Sequence, residues 1–202
     1  MNAKSMLLGL APWILFSLVA ERVGADHVAL AAGLACLAAL ALTIYEALRS
    51  SWKILDVAGV LTFGVIAAIG LAGSHHVDEL LVNFGRGGST FVLAAIMAIS
   101  AFTIPFTEQY ARETVDPSLW HSTIFRAKNR SISLLWACVI FVIAISHTVA
   151  GVLAATDSVS GAHPCSILLN WFIPIVLIIF AVKCTRVIAD APVDTSLADT
   201  SR

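Results

Sequence analysis

Residues 131–156 read SISLLWACVIFVIAISHTVAGVLAAT, without one Asp, Glu, Lys or Arg. An α-helix rises about 1.5 Å per residue, so about 20 mainly apolar residues cross a hydrocarbon core of about 30 Å. This run is long enough to do so. Working outward, uncharged runs recur at 5–20, 27–45, 57–77, 87–107 and 158–182. Composition agrees: 59% of residues are hydrophobic, 12% are charged and the mean hydropathy is +0.91, against roughly 45–50% apolar and about 25% charged in soluble domains. A soluble globular domain is excluded. The formal net charge of −1 and the lack of any basic, aromatic-interleaved stretch set nucleic-acid binding aside.

The expected fold is therefore all-α: a polytopic membrane bundle of six transmembrane helices arranged as three hairpins. The spans fall at about 6–23, 27–46, 55–74, 87–106, 131–154 and 164–183, in one domain over 1–189, followed by a polar, disordered tail at 190–202. The first run, behind Lys4, also has the outline of a secretory signal peptide. Leu18 is a poor small-residue cleavage position and Pro12-Trp13 suits a kinked, interface-anchored span, so a retained helix is the expectation.

Basic residues set the orientation. With the amino terminus cytoplasmic, inner segments hold Lys4, Arg49, Lys53, Arg112, Arg126, Lys128, Arg130, Lys183, Arg186 and Arg202, and outer ones only Arg22 and Arg86. Ten against two places both termini inside.

Helices in lipid associate through close packing, so small residues at four-residue spacing mark contact faces. Ala31, Ala35 and Ala39 form one such stripe, Ala29 with Gly33 a second, and Ala94 with Ala98 a third. These faces serve the chain's own core or a homodimer. Gly59, Gly64, Gly70 and Gly73 let the third span bend or pack closely. Pro174 lacks an N–H and leaves the carbonyl of Asn170 without its usual helical partner, which predicts a kink and an inter-helix hydrogen-bond site there.

No nucleotide loop, nucleophile elbow, HExxH helix or Cys-x-x-Cys pair occurs, and Cys36, Cys138, Cys165 and Cys184 lie far apart. The distinctive polar residues fall into three groups. His147, about 24 Å along the fifth span, is an ionisable group inside the membrane and, with Asn170, the candidate solute- or lipid-binding site. His27, His75, His76 and His163 gather toward the outer side with Asp26, Asp78 and Glu79, a donor set suited to a transition metal or haem. The inner segment 107–130 is expected to lie along the membrane surface, with Asp116-Pro117 starting a helix that carries Trp120 in the interface. Arg126, Lys128 and Arg130 would then meet anionic headgroups, making it a lipid or partner-protein platform. Inner-face charges are expected to pair along the chain as Glu46 with Arg49, Lys53 with Asp56, Glu108 with Arg112, and Arg112 with Asp116.

Three stretches resemble the bacterial intracellular septation protein A family: Leu10-Ala11-Pro12-Trp13-Ile14-Leu15-Phe16, His76-Val77-Asp78-Glu79-Leu80-Leu81, and Trp120 followed by Asn129 and Trp136-Ala137. The likeness runs from about residue 7 to residue 150, and the stretch from Pro105 to Glu113 departs from it. The resemblance implies a non-enzymatic protein of the bacterial inner membrane that acts in envelope maintenance or division through partner proteins. It carries over no catalytic residue. Two other expectations stand beside it: a small-solute or lipid transporter using His147 and Asn170, and a haem- or metal-binding redox subunit using the outer histidines.

Overall fold

The computed structural model describes residues 3–23, 27–49, 52–156 and 164–191, and among these residues no strand occurs. The helices are α1 (Ala3–Gly9), α2 (Ala11–Val23), α3 (Val28–Arg49), α4 (Ile54–Ala72), α5 (His75–Phe102), α6 (Phe106–Ala111), α7 (Thr123–Ala155) and α8 (Pro164–Asp190). Five of them, α3, α4, α5, α7 and α8, are long and apolar enough to cross a membrane. Their outward surfaces carry exposed Leu37, Leu61, Ile99 and Phe172, side chains that suit a lipid solvent.

The first expected span is broken. Pro12 has no N–H for the carbonyl of Leu8 and its ring crowds that carbonyl, so the chain turns at Leu10 and restarts as α2. Met6, Leu10, Trp13, Phe16 and Ala20 stay buried across the break on one continuous face. Trp13 meets Phe63 of α4 edge to face and Phe16 meets it at a tilt, at 5.1 and 5.2 Å between ring centroids, and the Trp13 indole donates to the Ser89 carbonyl of α5 at 3.2 Å.

Packing is closest in two pairs, α3 with α4 and α5 with α7, while the pairs expected as hairpins, α2 with α3, α4 with α5 and α7 with α8, touch less extensively. The reason is where the small residues meet. Ala31, Ala35 and Ala39 are fully buried, and Gly59 and Gly70 of α4 lie against Ala39 and Ala29. In the second pair, Gly87 of α5 lies against Thr148, and Gly151 of α7 lies against the Asn83 carbonyl. Trp136, wholly buried, ties α7 to α8 by donating to Thr185 Oγ1 at 3.0 Å.

Several boundaries need correction. The fourth span starts at His75, not near 87, because Val77, Leu80, Leu81 and Phe84 already follow helical spacing; His75 and His76 thus occupy its first turn rather than a loop. The fifth starts at Thr123, with Ser122 Oγ accepting from the Phe125 N–H at 3.1 Å. Asp116 does cap a helical start, accepting from Ser118 N–H at 2.9 Å, but only a 3-10 turn over Pro117–Leu119 follows it. The expected surface helix is therefore interrupted before α7. The last helix runs on to Asp190, and the expected tail from 192 lies outside the described residues.

Candidate functional site

The π-helical turn Leu168–Phe172 in α8 creates the site's geometry. There the Ile173 N–H reaches back five residues to the Leu168 carbonyl. In that register the carbonyl of Leu169 would pair with residue 174, which is proline and cannot donate. Ser146 of α7 donates to it instead, at 2.7 Å. The orphan carbonyl thus lies one residue earlier than an α-helical register predicts for Asn170. The Asn170 side chain bonds within its own helix, donating to Ser166 Oγ at 3.2 Å.

Beside this turn is a cavity of about 210 Å³ between α2, α5, α7 and α8. Its polar lining comprises Glu21, Asn83, Arg86, His147, Ser166 and Asn170. Arg86 lies about 17 Å along α5 from His75, within a membrane-length helix. Its Nη2 donates to the Ser17 carbonyl at 2.7 Å and stands 3.4 Å from Glu21 Oε2. The same Glu21 oxygen accepts from the Trp171 indole at 2.8 Å. One cation and one anion therefore face the cavity, each already held in place.

His147 completes it. Thr90 donates its hydroxyl to the Arg86 carbonyl at 2.7 Å, which leaves its oxygen to accept from His147 Nδ1 at 3.4 Å. In the neutral ring this puts the proton on Nδ1 and the lone pair on Nε2. That Nε2 is buried and makes no well-formed hydrogen bond, the nearest backbone acceptor to the ring being the Asn170 carbonyl. A buried polar atom without a partner is uncommon, because leaving it so costs about 1–3 kcal/mol. Here it lines a cavity that it shares with the polar groups of Glu21, Asn83, Arg86, Ser166 and Asn170 and with apolar Ala20, Val82, Ala150 and Ala154.

A second polar cluster lies at the opposite end of the bundle. Lys53, 2% exposed, joins Glu46 of α3 at 2.8 Å and Glu113, beyond α6, at 2.6 Å. Burial works to lower the Lys53 pKa, but the hydrogen bonds and charges of Glu113 and Glu46 outweigh it and hold it above the ordinary lysine value. Lys53 also sits 4.7 Å from the Tyr110 ring, whose hydroxyl is pushed well up by burial and by the surrounding carboxylates. Gln109 accepts from the Ile54 N–H at 2.9 Å. These contacts latch α6 to the α3–α4 pair. Of the expected pairs along the chain only Glu108 with Arg112 forms; Arg49 covers the Tyr45 ring and Asp116 is used in its cap.

The remaining expected residues scatter. His75 and His76 are exposed beside Glu79 at 3.4 and 4.0 Å. His27 is exposed ahead of α3, and His163 and Asp26 lie outside the described residues. Among the described residues no group of three or more His, Cys, Asp or Glu is placed to hold a metal. Trp120 donates to the Val115 carbonyl at 3.0 Å under the Arg112 guanidinium. Lys128 caps α8, donating to the carbonyls of Ala189 and Ala191 at 2.7 and 2.8 Å. Arg130 lies over the Phe102 ring at 5.0 Å, and Arg126 is exposed.

His147 and Asn170, the candidates expected from sequence, both line this cavity, together with Glu21, Asn83 and Arg86, which the sequence does not single out. The signal is there in Gly85-Arg86-Gly87-Gly88, an arginine among glycines, but a charge-free criterion leaves Arg86 in the outer segment ahead of the span at 87–106. Fold and cavity together define the class: an all-helical protein whose long apolar helices enclose a charged, hydrogen-bonding site. Comparisons with protein-family models, with curated proteins and with solved structures find no match.

Proposed function

We propose that this chain is a multi-pass protein of the bacterial inner membrane that binds a small polar solute in the cavity and carries it across the bilayer. Six crossings, with α1 and α2 together forming the first, leave both termini cytoplasmic under the positive-inside rule and open the cavity toward the outer half of the membrane. The observation that carries the reading is the buried His147 Nε2, without a well-formed hydrogen bond, facing the same space as the Arg86–Glu21 pair. Charged and ionisable groups at this depth are costly and mark solute paths. A π-helical turn beside such a site is the kind of helix interruption on which transporters build binding positions.

The chemistry of the lining selects the solute. A zwitterion with a hydrogen-bond donor fits, its donor meeting His147 Nε2, its anionic group Arg86 and its cationic group Glu21; a neutral polyol would meet the same three groups with hydroxyls. Envelope maintenance through partner proteins, the reading the family resemblance implies, rests on the inner segment. There Trp120 and Lys128 are engaged within the chain. A haem or metal subunit finds less support, since His75 and His76 do not line the cavity.

Thermal-shift screening of detergent-purified protein against amino acids, betaines and polyols tests the proposal. A stabilising solute is expected to lose about tenfold in affinity toward His147→Ala, the worth of one buried hydrogen bond, while the unliganded variant melts near the parent. Solutes that stabilise both proteins equally, or none that stabilises the parent, would sink the reading.

A further inference from the structure

On the lipid-facing side of the α5–α7 pair lies a second, apolar groove of about 680 Å³. Its floor is made by Ala94, Ala95 and Ala98 of α5 and Cys138 of α7, with Leu134 on one wall. Phe91 and Phe141, packed edge to face at 5.4 Å, close it toward the His75 end. Toward the Lys53 end its limit is a cation rather than a second aromatic pair, Arg130 of α7 lying over the Phe102 ring of α5 at 5.0 Å. There α7 continues along the same stripe, four residues at a time, from Cys138 through Leu134 to Arg130 and Arg126.

The two arginines give the groove a chemical polarity. Neither forms an ion pair with a carboxylate among the described residues, and both are exposed. Phe102 is one turn beyond Ala98 on α5, so the Arg130 guanidinium marks that end of the groove. From Arg130 to Phe141 is eleven residues, about 17 Å along the helix, close to the roughly 15 Å depth of one leaflet's hydrocarbon. Apolar walls over one leaflet's depth, ending at two cations, match the outline of a lipid.

We propose that this groove is a binding site for an anionic glycerophospholipid, with one acyl chain lying along Ala94, Ala98 and Cys138 beneath the Phe91–Phe141 pair and the phosphate meeting Arg130 and Arg126. The alanines keep the floor low enough for a chain to lie against the helix backbones, as small residues do for a neighbouring helix. The arginines supply a planar donor fork suited to phosphate. This site is separate from the solute cavity and stands whether or not that cavity binds a solute.

Native mass spectrometry of the detergent-purified full chain, with added phosphatidylglycerol or phosphatidylcholine of equal chain length, tests it. Phosphatidylglycerol is expected to be retained more tightly than phosphatidylcholine. Arg126→Gln and Arg130→Gln should each weaken its retention about fivefold, and Ala95→Phe, which fills the exposed floor, should reduce retention of both lipids. Circular dichroism establishes that the variants are folded, and the two surface arginine variants decide the matter if Ala95→Phe is not. Equal retention of the two lipids by the parent protein, or retention indifferent to both arginines, overturns the proposal. So does a dimer cross-linked through Cys138 by a bismaleimide and free of bound lipid, because a second copy would then occupy the groove.

Discussion

Gly151 and Gly33 show how one residue type takes opposite roles according to what faces it. A Cβ placed on Gly151 collides with the backbone carbonyl of Asn83, whereas one on Gly33 meets nothing within 4 Å. Gly151→Ala should therefore push α7 from α5 and cost about 1–3 kcal/mol, the usual penalty of overpacking. Gly33→Ala should be neutral or stabilising by up to about 1 kcal/mol, since alanine is the better helix former. Thermal denaturation of both variants in the same detergent checks the pair, and equal effects would show that α5 and α7 do not approach so closely. The sequence marks both glycines as small and neither as decisive. Its expectation that Ala29 and Gly33 share a contact face holds only for Ala29, which meets Gly70, because a contact face is set by where the partner helix lies.

The π-helical turn in α8 is a property of two elements together. Pro174 removes the donor that the Leu169 carbonyl would use in the π-helical register, and Ser146 of α7 replaces it. Ser146→Ala should then cost about 1 kcal/mol, within the range for hydrogen bonds between membrane helices. In a Pro174→Ala background the helix regains its own N–H, and the same Ser146 change should cost almost nothing. A double-mutant cycle measures this coupling directly; strictly additive effects would mean that Ser146 does not serve the proline. Pro174 is legible from sequence as an interruption of the backbone hydrogen bonds because a missing N–H is a local fact. The partner was not, since the choice of Ser146 depends on helix register and on how α7 packs against α8. The same reason explains Lys53: its neighbour in the chain is Asp56, but Glu46 and Glu113 reach it through the fold.

At the scale of the whole molecule, the absence of charge made the membrane helices readable and also hid the site. Charge-free runs register depth in hydrocarbon, so they recover the apolar helices but stop at Arg86, which the fold keeps inside a span by pairing it with Glu21. The same pairing bears on how many times the chain crosses. Trp13 bonds Ser89, while Arg86 bonds Ser17 and Glu21, so α1 and α2 run antiparallel to α5. From Ala3 to Val23 the two helices cover about 31 Å, matching a hydrocarbon core of about 30 Å, although neither is long enough alone. Their buried face from Met6 to Ala20 runs unbroken past the turn at Leu10. The proposed topology counts them as one span, which brings the total to six and puts both ends of the chain on one side. Epitope tags at Met1 and Arg202 should therefore be protected together from protease added to the outer face of intact spheroplasts, and both should be cleaved once the membrane is opened. A tag at Met1 that is cut while the one at Arg202 survives would mean that α1 and α2 do not cross, and that the outward opening assigned to the cavity must be redrawn.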